Sequence, residues 1–188
     1  MTVRLVASRC VLRDWHPPDL SVYREWLRPE HSWHDTNGPY FGRPDDETAE
    51  RLVRIARDRT EAPTLPTPRE SLVIAHRDDD RLIGTVNWYW ESRETDWRRI
   101  GIVLFDPAVR GLGIGRDALR RWTSYLFDTT DALRLDLATY SGNEAMARAA
   151  TAAGYVLEAR LRRARRWAGG VHDALIYAVL RDEWAVSP

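Results

Sequence analysis

The chain has 188 residues, with 28 basic and 28 acidic side chains and a formal net charge of zero, so no overall field draws it to nucleic acid or to an anionic membrane. Hydrophobic residues make up 44% of it, which excludes a disordered chain, and no apolar run approaches the ~20 residues of a membrane helix. Length suits one domain over residues 1–188, and the lone Cys10 excludes an internal disulfide and fits a reducing, cytoplasmic setting.

Residues 3–14 read as one strand, after which Pro17-Pro18-Asp19 open a short helix to Trp26. Residues 31–44 are rich in Gly, Pro, Asn and aromatics and read as a loop. Asp45-Asp46-Glu47 supply acidic first-turn residues to the next helix, whose Ala49, Leu52, Val53 and Ala56 recur at i, i+3, i+4 and i+7. Three prolines in 62–68 mark a linker within the domain. Strands are expected at 71–76, 82–91 and 97–105, with Asp78-Asp79-Asp80 as a tight turn and Val86, Trp88 and Trp90 on one face.

A helix follows with Ile114, Ala118, Leu119, Trp122, Tyr125 and Leu126 on its apolar stripe. Leu133, Leu135 and Leu137 alternate in another strand. Met146, Ala149, Ala150 and Ala153 line a last short helix capped by Gly154. Residues 155–167 and 171–181 then close an antiparallel hairpin through Gly169-Gly170. The expected fold is α+β: a mixed, mostly antiparallel central sheet with helices on both faces.

Arg110-Gly111-Leu112-Gly113-Ile114-Gly115 is the most informative stretch. A strand that ends in glycines and opens a helix presents unpaired N–H groups at the positive end of the helix dipole, a site for phosphate. Side chains at the glycines would hold a pyrophosphate off the backbone. A Rossmann dinucleotide site would want G-x-G-x-x-G early in a parallel βαβ unit; here the spacing is GxGxG, past the midpoint, after mostly antiparallel strands. A glycine-capped helix packed closely for structural reasons is the plainer alternative.

Arg110, Gly113 and Gly115 form Arg-x-x-Gly-x-Gly, which resembles motif A of the GNAT N-acetyltransferase superfamily. Ser141-Gly142-Asn143 and Ala153-Gly154-Tyr155 resemble the family's Asn-led helix and the Gly-aromatic start of its next strand. The stretch from Glu158 to Arg163, with Gly170, Asp173, Tyr177 and Arg181-Asp182-Glu183-Trp184, is similar to the tail of Rim-type ribosomal-protein acetyltransferases. Leu12-Arg13, Asp19 and Trp26-Leu27 fit the same subgroup.

The resemblance implies a splayed strand pair, residues 97–105 and 133–140, holding the pantetheine arm of acetyl-CoA against Ile102, Val103 and Leu104. It implies a pyrophosphate on Arg110, Gly111, Leu112, Gly113, Ile114 and Gly115, with Asn143 at the cysteamine end and the Val103 N–H facing the oxyanion. It further implies direct acetyl transfer to a primary amine, either a small molecule or a protein N-terminus; no metal is expected, because the carboxylate and Cys partners that a site at the loop histidines would need are missing. Ala150, Met146 and Arg99 stand where relatives carry Tyr, Ser and Glu proton carriers. Tyr140, Ser141 or water are then the candidates for protonating sulfur, and Asp173, His34 or Asp35 for the amine. The missing carriers also suggest an alternative, a catalytically weak acyl-CoA-binding sensor or regulatory module.

Trp33, His34 and Tyr40 crowd the 31–44 loop and are candidates for the acceptor side, or for packing that loop on itself. Trp88 and Trp90 could wall the acceptor pocket or fill the core. Arg160, Arg162, Arg163, Arg165 and Arg166 form the densest basic cluster, a solvated strand by default and an acidic acceptor's contact by the sharper reading. Without interleaved aromatics it makes no case for RNA. A homodimer is left open.

Overall fold

The computed structural model describes residues 2–37 and 42–185. In chain order the elements are β1 (Arg4–Val6), β2 (Cys10–Arg13), α1 (Asp19–Trp26), α2 (Trp33–Thr36), α3 (Asp46–Glu61), β3 (Ser71–His76), β4 (Leu82–Ser92), β5 (Trp97–Leu104), α4 (Ile114–Thr129), β6 (Arg134–Tyr140), α5 (Glu144–Ala153), β7 (Val156–Trp167), β8 (Gly170–Leu180) and α6 (Arg181–Ala185). The strands form one eight-stranded sheet in the order β1-β2-β3-β4-β5-β6-β8-β7. Every neighbouring pair is antiparallel except β5 and β6.

The expected fold class holds, with four corrections to its elements. The strand expected at 3–14 is a hairpin: the chain reverses at Ala7-Ser8-Arg9, closed by the Ala7 N–H donating to the Cys10 carbonyl at 2.9 Å. The 31–44 loop contains the single-turn helix α2, and Arg181 begins a short helix rather than ending a strand. Leu133 is exposed and precedes β6, so only Leu135 and Leu137 of the expected alternation are buried.

Two apolar layers sandwich the sheet. On one face, Leu12, Leu72, Ile74, Val86, Ile100, Leu135 and Leu137 pack against α4 and α5. All six expected stripe residues of α4 are buried, and Trp122 also donates its indole N–H to the Asn87 carbonyl at 3.1 Å. On the other face, Val11, Val73, Ala75 and Phe105 meet Trp15, Trp33 and the Ala49, Val53 and Ala56 stripe of α3. Asp45 caps α3 by accepting from the Thr48 N–H at 2.8 Å. β3 reads as a continuous apolar run because it is buried on both faces.

The buried ion pair of Asp14 and Arg69 ties the start of the chain to β3. Arg69 Nε reaches Asp14 Oδ1 at 2.8 Å, and its Nη1 donates to the Pro66 carbonyl at 2.6 Å. Removing one partner of such a pair strands a charge in the interior. Arg69→Ala is therefore expected to lower unfolding free energy by about 3–5 kcal/mol in urea titrations. Adding Asp14→Asn to that variant should recover part of the loss; no recovery would show that the pair's packing, not its charge, holds the site.

Candidate active site

The parallel strands β5 and β6 meet only at Arg98↔Leu135 and Arg99↔Asp136. Asp136, fully buried at this junction, accepts from Trp97 Nε1 at 2.6 Å, Arg99 Nε at 2.7 Å and Arg134 Nη2 at 3.3 Å. Beyond it the strands part. Residues 100–104 stay paired with β4 on one side and 137–140 with β8 on the other, so the edges facing each other across the gap carry no ladder. Backbone groups on such edges need water or a ligand.

At the wide end of this cleft lies the glycine turn. Gly111 and Gly113 have φ of +76° and +80°, values that a side chain makes costly, and Gly113 is the N-cap of α4. The first α4 turn therefore presents free N–H groups beside an exposed Leu112, while Ile114 turns into the core. Arg110 folds back so that its Nη2 lies 3.5 Å from the Leu104 carbonyl oxygen.

Two further guanidinium groups flank the turn. A Cβ on Gly113 would lie 3.3 Å from Arg9 Nε and 3.7 Å from Arg116 Nη2. Asp117 organises both: it accepts from the Ser8 hydroxyl, pairs with Arg116 at 2.7 Å and lies 3.8 Å from Arg9. Burial pushes the Asp117 carboxyl up, but the Ser8 and Arg116 hydrogen bonds hold it below the usual carboxylate range. Arg9 and Ser8 sit on the β1–β2 turn, which sequence reasoning took for mid-strand; the missing turn signal hid them.

The expected site residues divide sharply. Leu135 and Leu137 face α4, so alternation sends Asp136, Ala138 and Tyr140 to the opposite face of the sheet. There the Tyr140 hydroxyl lies 3.4 Å from the Asp35 carbonyl oxygen on α2, and its ring meets His172 edge-on at 5.3 Å. Ser141 is tied to β8, donating its N–H to the Asp173 carbonyl and accepting the Asp173 N–H at Oγ, 3.0 Å away. His172, not singled out from sequence, is brought beside the Tyr140 ring by the pairing of β8 with β6.

Asn143 is the N-cap of α5: its Oδ1 accepts from the Met146 N–H at 3.1 Å, and its Nδ2 donates to the Thr36 carbonyl at 2.9 Å. Both ends of the amide are engaged by protein. Asp173 is similarly occupied, by Arg160 Nε at 2.6 Å and the Arg163 N–H at 2.8 Å. Those bonds hold its carboxyl below the usual range, which suits a structural anion better than a base. His34 is buried, with Nε2 donating to the Arg28 carbonyl at 3.0 Å, and burial lowers its pKa.

Of the two readings open for the aromatic candidates, the structure places three of them in packing positions. Trp33 packs into the apolar layer against Phe105, with its indole N–H on the Trp26 carbonyl. Trp88 and Trp90 lie on the α4 side of the sheet, edge to face at 5.2 Å, with the Arg98 guanidinium 4.3 Å from the Trp90 ring centroid. They pack beside the joined end of β5 and β6, away from the gap. Tyr40 lies outside the described residues. Among the described residues, no group of three or more His, Cys, Asp or Glu is placed to hold a metal ion.

Residues 9–156 match the family model described as an acetyltransferase (GNAT) domain. A curated relative from Caenorhabditis briggsae, an N-acetyltransferase 9-like protein, is 21% identical over 141 residues, 70% of this chain and 66% of its own length. A GNAT-family acetyltransferase from Bacillus anthracis superposes with a TM-score of 0.74 at 16% identity, covering 96% of this chain and 99% of the other. RimL, a ribosomal L7/L12 α-N-protein acetyltransferase in complex with coenzyme A, gives 0.73 at 16% identity, with 96% and 99% coverage. A spermidine N-acetyltransferase from Vibrio cholerae, in complex with coenzyme A and spermine, gives 0.72 at 16% identity, with 95% and 99% coverage.

Asn143 generates a test of its two bonds. Asn143→Ala is expected to cost about 1 kcal/mol as a lost cap. Asn143→Asp keeps the cap acceptor but loses the donor to Thr36. Amide exchange over 33–36 should therefore quicken in both variants, while only the first loses stability; unchanged exchange in α2 would show that this amide does not hold it.

Proposed function

The chain belongs to the GNAT family of acetyltransferases, and we propose that it is an acyl-CoA-dependent N-acetyltransferase in which acetyl-CoA lies between β5 and β6 and gives its acetyl group directly to a primary amine. One observation carries this reading: the strands part just before a positive-φ glycine turn that opens α4, so unpaired strand edges suited to a peptide-like arm are followed by N–H groups suited to a diphosphate. The coenzyme A complexes of RimL and of the spermidine enzyme support it by fold likeness.

In this reading the backbone from Gly111 to Gly115, with Arg110, Arg9 and Arg116 around it, holds the diphosphate. The strand edge at Ile102, Val103 and Leu104 pairs with the pantetheine amides, and the Val103 N–H faces the thioester oxygen. The acceptor enters from the face that carries Tyr140, opposite α4, because α4 and α5 close the other side. Its nitrogen forms a bond to the carbonyl carbon as the carbon–sulfur bond breaks. The proton lost by the amine leaves through water, and the sulfur gains one from the Tyr140 hydroxyl, later restored by water. Holding both reactants in one cleft supplies much of the rate. The acceptor is a protein N-terminus or a small-molecule amine.

Gly113→Asp places charge and bulk between Arg9 and Arg116 and strains a left-handed residue. Acetyl-CoA affinity should fall at least about 100-fold by calorimetry, for about 1–2 kcal/mol of lost stability. Unaltered affinity would sink the cradle. Tyr140→Phe should lower kcat about 10–100-fold at constant acetyl-CoA affinity, measured by thiol release over a panel of amines. Full activity in that variant would remove Tyr140 from the proton path, and binding without any turnover by the wild-type chain would favour a sensor.

A further inference from the structure

The β7–β8 hairpin carries a charge pattern that the transfer step does not use. β7 is the last strand of the sheet, so among the described residues its outer N–H and C=O groups have no strand neighbour. Arg160, Arg162, Arg163, Arg165 and Arg166 fill five of seven consecutive positions along it, on a strand exposed for most of its length. The hairpin's carboxylates are two: Glu158 pairs with Arg134 at 2.8 Å, and Asp173 lies between Arg160 and the Arg163 N–H. In a chain of zero net charge this is a local excess of positive charge.

Its position ties it to the cleft. The β7–β8 register breaks between Leu161↔Ala174 and Arg165↔His172, and Arg163, at φ +56°, lies in that bulge. Ala174 pairs on its other side with Tyr140. The arginine bulge is thus level with the open end of the β5–β6 gap. Two strand spacings, about 10 Å, separate it from Tyr140, the reach of about three extended residues.

We propose that the acceptor is an acidic polypeptide segment: its terminal amine enters the cleft beside Tyr140, and carboxylates from about the third residue onward lie along the arginines of β7. The exposed side chains between and beside them, Leu157, Leu161 and Val171, are aliphatic and suit a peptide's own side chains. RNA would call for stacking aromatics there. A second copy of the chain would set arginine against arginine across the edge, which opposes pairing. This inference rests on the transferase reading and adds the acceptor's chemistry to it.

The test uses the whole chain with free-amine hexapeptides bearing Glu, Gln or Lys at positions three to five. Thiol release gives kcat/KM for each. The Glu peptide should exceed the Gln peptide about tenfold, mostly through KM, with the ratio falling toward one in about 0.5 M NaCl. Arg162→Ala combined with Arg166→Ala, both on the exposed strand, should narrow the Glu-to-Gln ratio severalfold without salt. Equal rates for the Glu and Gln peptides, or a ratio that survives the double substitution, overturns the docking surface and leaves the transferase standing. Tighter binding of RNA than of the Glu peptide, or dimerisation abolished by the same substitutions, also overturns it. Failure to bind acetyl-CoA at all overturns both.

Discussion

The carboxylate of Asp136 is the fulcrum of the molecule. It sits without solvent access where two parallel strands touch, and three donors from β5 and β6 close around it. A buried carboxylate is tolerated only with such compensation, and here the compensation comes from both strands, so they cannot slide or separate at that point. Glu91 extends the arrangement by pairing with Arg99 at 2.7 Å. Because the junction is fixed on one side and the strands are recruited by different neighbours beyond it, divergence is the geometrical outcome. β4 draws β5 one way and β8 draws β6 the other.

The two faces of the sheet then have separate duties. On the α4 side the gap is floored by a dense apolar layer, whereas on the other side α2 leans on Asn143 and Tyr140 and leaves the approach beside β6 framed by polar groups. Asp117 plays a role at the glycine turn comparable to that of Asp136 at the junction. A single anion there gathers Ser8 and Arg9 from the first hairpin and Arg116 from α4, and so builds one electropositive rim from segments over a hundred residues apart.

The features legible in the sequence were those with local causes. Gly113, Gly154 and Gly169 mark turns because each adopts a positive φ, and the α4 stripe follows from helical periodicity alone. The β1–β2 reversal was hidden because Ala7-Ser8-Arg9 contains neither Gly nor Pro and sits within an apolar alternation. Asn143 carried a readable local signal as a helix cap before Glu144, but its bond to Thr36 spans 107 residues. The occupation of Asp173 by Arg160 depends on strand pairing, and the side of the sheet taken by Trp88 and Trp90 depends on which layer covers which face. No pattern in neighbouring residues encodes either.

Every cation in these networks is a guanidinium, for the chain contains 28 arginines and no lysine. A protein that handles a reactive thioester would ordinarily expose its own ε-amines to stray acylation. Guanidinium groups stay protonated at any physiological pH and are poor nucleophiles, so neither the positive rim nor the charged hairpin offers a reactive amine to a thioester.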